Sequence, residues 1–407
     1  MNLEEKCQVD INFLEENYLK KIKEYEKIFN KEVFYRIINK LKEKYQVILD
    51  EFYDDNTKML GNTKIISNNI VGFDLNPISA VSAKANYILT LLSSVEEKFS
   101  DFPSPLSISI YISDSVLSPI VYSEEDRETF KAQTSVGDFI IPKFESLEEG
   151  SKFLDDISYS IEKDRPFSVF ESLVLNKLKL SETQSRAVAE MYEDMIRYHR
   201  SAQDSFWGRI LKNSFAPVML KQKFDFVVGN PPWIAWKSMS KIYREGTLEV
   251  WKSYGIFEKN AYDKKTTHDD FGMAVTYVSL DQYLKENGKM YFLLPWTFLK
   301  STKGGEGFRK FSITRNKQQI PVKITLVDDY NDIQIFKPKH TVRTIGVLFE
   351  KGSQMKYPMN SWYEWSYKEK RSFEAHFGWN QVVKYIENRR LFAKPIDESD
   401  LQSSWLT

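Results

Sequence analysis

Phe224-Asp-Phe-Val-Val-Gly-Asn-Pro-Pro-Trp-Ile-Ala-Trp236 sets the frame for the rest of the chain. Its opening residues, Phe224 to Val228, are nearly all apolar and rich in Val and Phe, the composition of a short strand covered on both faces. Gly229 then frees the backbone, Asn230 presents a side-chain amide, and Pro231 and Pro232 fix the chain directly behind it. Trp233 and Trp236 follow. An amide held on a proline-stiffened turn beside an aromatic ring can grip a flat heterocycle by hydrogen bonding and stacking. A nucleobase has that size and shape.

Upstream, Ile70-Val-Gly-Phe-Asp74 reads as another strand, followed by Asn76-Pro77 and a helix through Ser94. Pro77 suits the first turn of that helix, where a missing amide hydrogen is harmless. Ser107 to Ile112 alternates as a strand and ends at Asp114. Downstream, a helix is expected from Asp269 to Glu286, a strand from Lys289 to Leu294, and a short helix over Phe308 to Thr314. Two strands follow, Val322 to Val327 and Thr341 to Phe349. Strands alternating with helices argue for a parallel, doubly wound α/β sheet, in which ligands bind beyond the carboxyl ends of the strands. Asp74, Asp114 and Asn230 each stand just past such an end, so the three can share one cleft.

The remaining segments divide the chain. Residues 1–66 are expected to form an N-terminal helical segment, because apolar residues recur at helical spacing from Phe34 to Phe52. Residues 67–350 form the core. Between about 115 and 222 the core carries an insertion whose charged segments, Leu147 to Lys163 and Glu182 to Leu211, read as helices. Residues 351–407 form a Trp- and Tyr-rich extension with a helix near Asn380 to Arg390.

Composition narrows the function. Lys plus Arg and Asp plus Glu both number 57 in 407 residues, so any nucleic-acid contact must come from a local patch. Cys7 is the only cysteine, which excludes a disulfide framework and a cysteine zinc site and fits a reducing cytoplasm. No apolar run has transmembrane length, so no membrane role is expected. His268 precedes an acidic pair and reads as helix-start chemistry with no metal role. Gly304, Gly305 and Gly307 lack the strand-loop-lysine context of a phosphate loop.

Taken in order, these motifs resemble the N6-adenine DNA methyltransferases of the large restriction-modification and phage-exclusion branch. Asn230-Pro-Pro-Trp233 looks like the catalytic motif, and Gly72-Phe-Asp-Leu-Asn-Pro77 like the acidic strand end that holds the ribose of S-adenosylmethionine. Tyr111-Ile-Ser-Asp-Ser115 looks like the loop that contacts the cofactor adenine. His268-Asp-Asp-Phe-Gly-Met-Ala274, Gly288-Lys-Met-Tyr-Phe-Leu-Leu-Pro295 and Gly305-Glu-Gly-Phe-Arg309 match later pieces. The resemblance covers about Ile70 to Glu350. It implies a Rossmann-like methyltransferase sheet and direct methyl transfer to an adenine drawn out of double-stranded DNA.

Residue by residue, the resemblance implies that Asn230 and Pro231 accept hydrogen bonds from the exocyclic amine. Pro232 stiffens the turn, Trp233 stacks on the base and Phe336 covers its other face. Asp74 and Asp114 would hold the cofactor. Blander roles stay open: Asp74 as a helix-start acid, Asp114 as turn chemistry, Phe336 as a turn aromatic, and Lys337 to Arg343 as a solvated basic turn. Protein glutamine methylation uses a similar turn and is an alternative substrate.

One family element is missing: a first strand ending in a glycine-rich loop, lying between the Asp74 strand and the Asn230 strand. The nearest candidate, Cys7 to Leu14, has Val9 and Ile11 where glycines would fall. At the other end, Pro395 to Trp405 looks like the join to a target-recognition domain. The expectation is a fragment, completed by a separate polypeptide that supplies the loop and the recognition domain, or else an inactive remnant that only binds DNA or a partner.

Overall fold

The computed structural model describes residues 69–94, 108–117, 129–134, 137–144, 147–202, 213, 215–257, 268–315, 318–333, 343–369 and 379–407. The 1–66 segment, the Cys7 to Leu14 stretch and Phe336 lie outside the described residues.

Among the described residues, three sheets carry the fold. The largest has the strand order β12-β11-β10-β8-β9-β6-β5, with β7 paired to β8. Its strands are β5 (Phe224–Gly229), β6 (Leu284–Pro295), β7 (Ser312–Arg315), β8 (Gln318–Asp329), β9 (Thr344–Lys351), β10 (Met359–Tyr367), β11 (Ile386–Pro395) and β12 (Trp405–Leu406). β5 runs parallel to β6 and β8 parallel to β10, whereas β9 is antiparallel to both β6 and β8. The sheet is therefore mixed, where a wholly parallel one was expected. The departure begins at β9, which returns beside β8 before the chain moves outward.

The core lies where β6 and β9 meet the helices. Met290, Phe292 and Leu294 alternate along β6 and are buried, as are Ile345, Val347 and Phe349 on β9. Against them pack α6 (Phe271–Val278), buried at every position, and α5 (Lys241–Ser253), which contributes Trp251. A fully buried aliphatic or aromatic side chain contributes roughly 1.5–3 kcal/mol, so this face dominates the stability of the fold.

A second, small sheet pairs β1 (Gly72–Asp74) with β2 (Ile110–Ile112) in parallel, joined by α1 (Pro77–Ser94). The helix starts at Pro77 as expected and is described through Ser94. Ring contacts tie this pair to the main sheet: Phe73 stacks on Tyr283 at 5.5 Å, and Tyr283 meets Phe224 at 6.4 Å. Among the described residues β1 and β5 belong to different sheets, and the stretch expected to supply the family's first strand lies outside the described residues.

The insertion has its own core. α2 (Leu147–Glu162), α3 (Phe167–Leu173) and α4 (Glu182–Ala202) bury Phe153, Ile157, Phe170, Val188 and Tyr192 together. Phe170 and Tyr192 stack at 4.4 Å. It is not purely helical, however: β3 (Thr129–Thr134) and β4 (Gly137–Pro142) form a hairpin at its start.

Three further expectations fail for identifiable reasons. β5 is not covered on both faces: Asp225 points outward to Lys285 at 2.9 Å and Val228 is 41% exposed. The helix expected over Phe308 to Thr314 stops after one turn because Phe311 takes a left-handed φ of 45°. Ser312 to Arg315 then forms a hairpin with β8. The helix expected over Asn380 to Arg390 is cut to one turn, Trp379–Val382, before β11 takes over, pairs with β10 and sets Arg389 against Glu364 at 2.7 Å. Cross-strand pairing overrides local helix propensity there.

Candidate functional site

β5 ends at Gly229, and Asn230 emerges exposed from its carboxyl end. Pro231 is buried, Pro232 exposed and Trp233 half-buried. The Trp233 indole N–H donates to the Leu293 carbonyl on β6 at 3.3 Å, which fixes the ring plane. An aromatic anchored by its N–H loses little further entropy when it stacks.

The chain after Trp233 is laced to the segment before α6. The Phe271 amide donates to the Ile234 carbonyl at 2.8 Å, the Trp236 amide donates to the Asp269 carbonyl at 2.9 Å, and Ala235 bridges Asp270. Asp270 caps α6, its carboxylate accepting from the Gly272 amide at 2.8 Å. The helix-start reading of His268-Asp-Asp holds for Asp270. Burial pushes the Asp270 carboxyl up to about 6, against the lowering effect of the Gly272 and Ile234 amides, with Asp269 adding a smaller upward push. Asp269 is buried and accepts from the Gly305 amide at 2.8 Å.

Trp233, His268, Asp270, Met273, Pro295 and Gly304 are among the residues lining a cavity of about 280 Å³. Gly304 and Gly305 have φ of +86° and +76°, and a Cβ on Gly304 would lie 3.1 Å from the His268 backbone. The glycines thus permit a close turn that walls the cavity, a use their sequence context did not disclose.

Asp74 and Asp114 stand at the shared carboxyl end of β1 and β2, where the Ser113 amide donates to the Asp74 carbonyl at 3.1 Å. Asp74 is half-buried and its Oδ1 accepts from the Asn76 amide at 2.7 Å. Asn76 in turn receives the Ile78 amide at 2.9 Å, so the cap of α1 rests on Asn76 while Asp74 braces it. A carboxylate offers about four lone-pair sites, leaving Asp74 capacity for further donors. Asp114 is more committed. Its Oδ1 accepts from the Val116 and Leu117 amides at 2.8 and 2.9 Å, and its Oδ2 from the Tyr243 hydroxyl at 2.8 Å.

Tyr243 sits on α5, directly after the turn segment, and joins the Asp114 loop to the Asn230 side of the site. Burial, with Asp114 beside it, raises the Tyr243 hydroxyl far above its ordinary range, so it remains a donor at any physiological pH. Neither Tyr243 nor the Asp270 clamp was singled out from sequence as a site residue. Phe336 lies outside the described residues. Among the described residues no helix is long and apolar enough to cross a membrane.

The model of the Eco57I restriction-modification methylase family matches residues 68–336, about two thirds of the chain. The type II methyltransferases M.HincII and M.HindII, both from Haemophilus influenzae, are each 29% identical over 143 residues. That stretch is 35% of this chain and 24% of each relative, so the match spans about a quarter of their length. A solved DrdV–DNA complex overlays 54% of this chain and 23% of its own, at 13% identity and a TM-score of 0.29.

Proposed function

The chain belongs to the Eco57I restriction-modification methylase family, and on that basis we propose that it methylates adenine N6 in double-stranded DNA with S-adenosylmethionine as cofactor. The observation that carries the reading is the Asn230-Pro-Pro-Trp233 turn: it stands at a strand end, its Trp ring is tied to Leu293, and it borders a cavity.

The chemistry divides among the chain's own residues. The Asn230 side-chain carbonyl and the Pro231 backbone carbonyl accept from the exocyclic amine of the base, which favours lone-pair density on its nitrogen. Trp233 stacks on the ring, a contact worth roughly 1–3 kcal/mol per base, and Phe336 is the proposed partner on the other face. Asp74 receives the ribose hydroxyls of the cofactor by charge-assisted hydrogen bonds. Asp114 shapes the loop beside it and keeps little unused acceptor capacity. When bound, S-adenosylmethionine would supply an activated methyl group; the amine lone pair would take it as the methyl–sulfur bond breaks, with the neutral thioether leaving and the amine proton passing to water. The rate gain then comes mainly from holding the reacting groups in line, which needs neither a metal nor a general base.

The proposed partner is double-stranded DNA. A second reading, in which the chain binds DNA or a partner and transfers nothing, is favoured by Asp114, whose carboxylate oxygens already accept from the Val116 and Leu117 amides and the Tyr243 hydroxyl.

The test is methyl transfer from labelled cofactor, with and without the neighbouring gene products, offering DNA and protein together. Label in DNA as N6-methyladenine supports the proposal. Label on protein glutamine would replace the substrate, and absence of cofactor binding by calorimetry in every mixture would leave the second reading.

A further inference from the structure

β5, β6 and β9 lie side by side, and on the edge where Asn230 emerges they present Trp296 directly after β6 and Arg343 directly before β9. β6 projects beyond the end of β5, because Gly229 pairs with Phe292 whereas Pro295 pairs with Thr344. Trp296 and Arg343 therefore form a rim beside the Asn230 turn. Pro295 and Thr297, on either side of Trp296, line the same cavity as Trp233.

The rim carries cations on an aromatic ring. The Trp296 amide donates to the Arg343 carbonyl at 2.8 Å, and the Arg343 guanidinium lies 5.0 Å from the centre of the Trp296 ring. Lys300, at the end of α7 (Thr297–Lys300), lies 5.4 Å from that ring and 4.8 Å from the Trp362 ring. The two cations differ in what else they meet. Lys300 is half-buried, donates to the Thr407 hydroxyl and has Asp329 and Glu364 to offset its charge. Arg343 is exposed and, among the described residues, pairs with no carboxylate. Lys303, on the cavity wall, is likewise exposed and pairs with no carboxylate among the described residues. A guanidinium stacked on a ring uses its face and leaves its N–H fork open to a phosphate.

We propose that Arg343, steadied by Trp296, and Lys303 hold the backbone phosphates of DNA on either side of the base that Trp233 receives. This rests on the reading of Asn230 to Trp233 as the base-holding turn. A base drawn out of the duplex into the cavity leaves its phosphates at the cavity mouth, where contacts set position without reading sequence. The chain has no net charge, so attraction for a polyanion must come from such a local group of cations. Trp296 acts through Arg343 and is a positioning residue.

Fluorescence anisotropy of a labelled, mixed-sequence duplex, titrated with the purified chain across a range of salt, tests the proposal without requiring turnover. In Arg343→Ala, affinity should fall about fivefold, and the slope of log affinity against log salt should become shallower by about 0.9, as for one phosphate. Lys303→Ala should shift the slope by a similar amount. Arg343→Lys should keep the slope and bind less tightly, because it loses the fork and the stacking. Trp296→Leu should weaken binding alone but add little to Arg343→Ala. Should Trp296→Leu not fold, the exposed Arg343 and Lys303 variants carry the test. Lys285→Ala, at the opposite end of β6, should leave the slope at its wild-type value. A wild-type slope in Arg343→Ala, as expected if Arg343 serves an acidic protein segment instead, would overturn the proposal, and so would a wild-type chain that binds no duplex. A chain that shows the Arg343 slope change but transfers no methyl to DNA would count against the proposed function and leave the phosphate contact standing.

Discussion

The Asn230 half and the Asp74 half of the candidate site are built on unequal foundations. Asn230 stands at the end of β5, whose neighbour β6 runs twelve residues through the main core, and its turn is tied down by Leu293 and by the Asp269–Asp270 segment. Asp74 ends a three-residue strand whose one described partner strand is equally short, and α1 behind it leaves Ile78 73% and Val81 56% exposed. The first half is organised by packing that would exist without a ligand. Among the described residues the second is joined to the main sheet by ring contacts and hydrogen bonds, among them Phe73 on Tyr283 and Tyr243 to Asp114. On the proposed function, the base-gripping turn is held by the main core and the cofactor platform by the short β1–β2 pair.

Substitutions on the two sides should therefore behave differently. The largest expected effect is on transfer itself: Asn230→Ala should lower kcat by about a hundredfold or more, since a misplaced reacting group costs on that order. Its thermal melt should be unchanged, because Asn230 is exposed. Next, Trp362→Ala removes a fully buried ring from the main core and should destabilise the protein by about 3–5 kcal/mol in denaturant titration. Phe73→Ala, on the small sheet, should cost much less in the same titration and instead weaken cofactor binding measured by calorimetry. A Phe73 variant as unstable as the Trp362 variant would erase the distinction.

Asp270→Asn probes the rigid half from the stability side. The Asp270 carboxyl lies near 6 when folded and near 3.8 when unfolded. The folded state therefore holds the proton more tightly, and stability contributed by the protonated form is lost as pH rises from about 4 through 6. Above pH 6 a charged carboxylate strains the fold by roughly 2–3 kcal/mol, since each tenfold difference in proton affinity is worth about 1.4 kcal/mol. An asparagine at this position escapes that cost, so the variant should melt a few degrees higher at pH 8 and no higher at pH 4. The smallest effect is Tyr243→Phe, which removes one hydrogen bond to Asp114. It should weaken cofactor affinity by a few-fold in calorimetry, about 1 kcal/mol.

Much of this was legible in sequence where the signal was local. Val227-Val228-Gly229-Asn230-Pro231-Pro232 carries its own strand ending and stiff turn, and Pro77 marks the start of α1. The insertion helices follow from their charged, helix-forming composition. What escaped is non-local. Arg389 and Arg390 read as helix formers until β10 offers Glu364 across the strand pair. Phe311 gives no sign of its left-handed backbone. Asp270 reads as a cap, and only the folded chain brings Ile234 and Ala235 against it.

Nucleoside mass spectrometry decides whether the Asn230 turn transfers methyl groups, when applied to total DNA from a host devoid of adenine methylation that expresses this chain with its neighbouring gene products. N6-methyladenine should be present in the wild-type strain and should not rise above background in the Asn230→Ala strain at equal protein level. N6-methyladenine persisting at the wild-type level in the Asn230→Ala strain would contradict the role assigned to the turn.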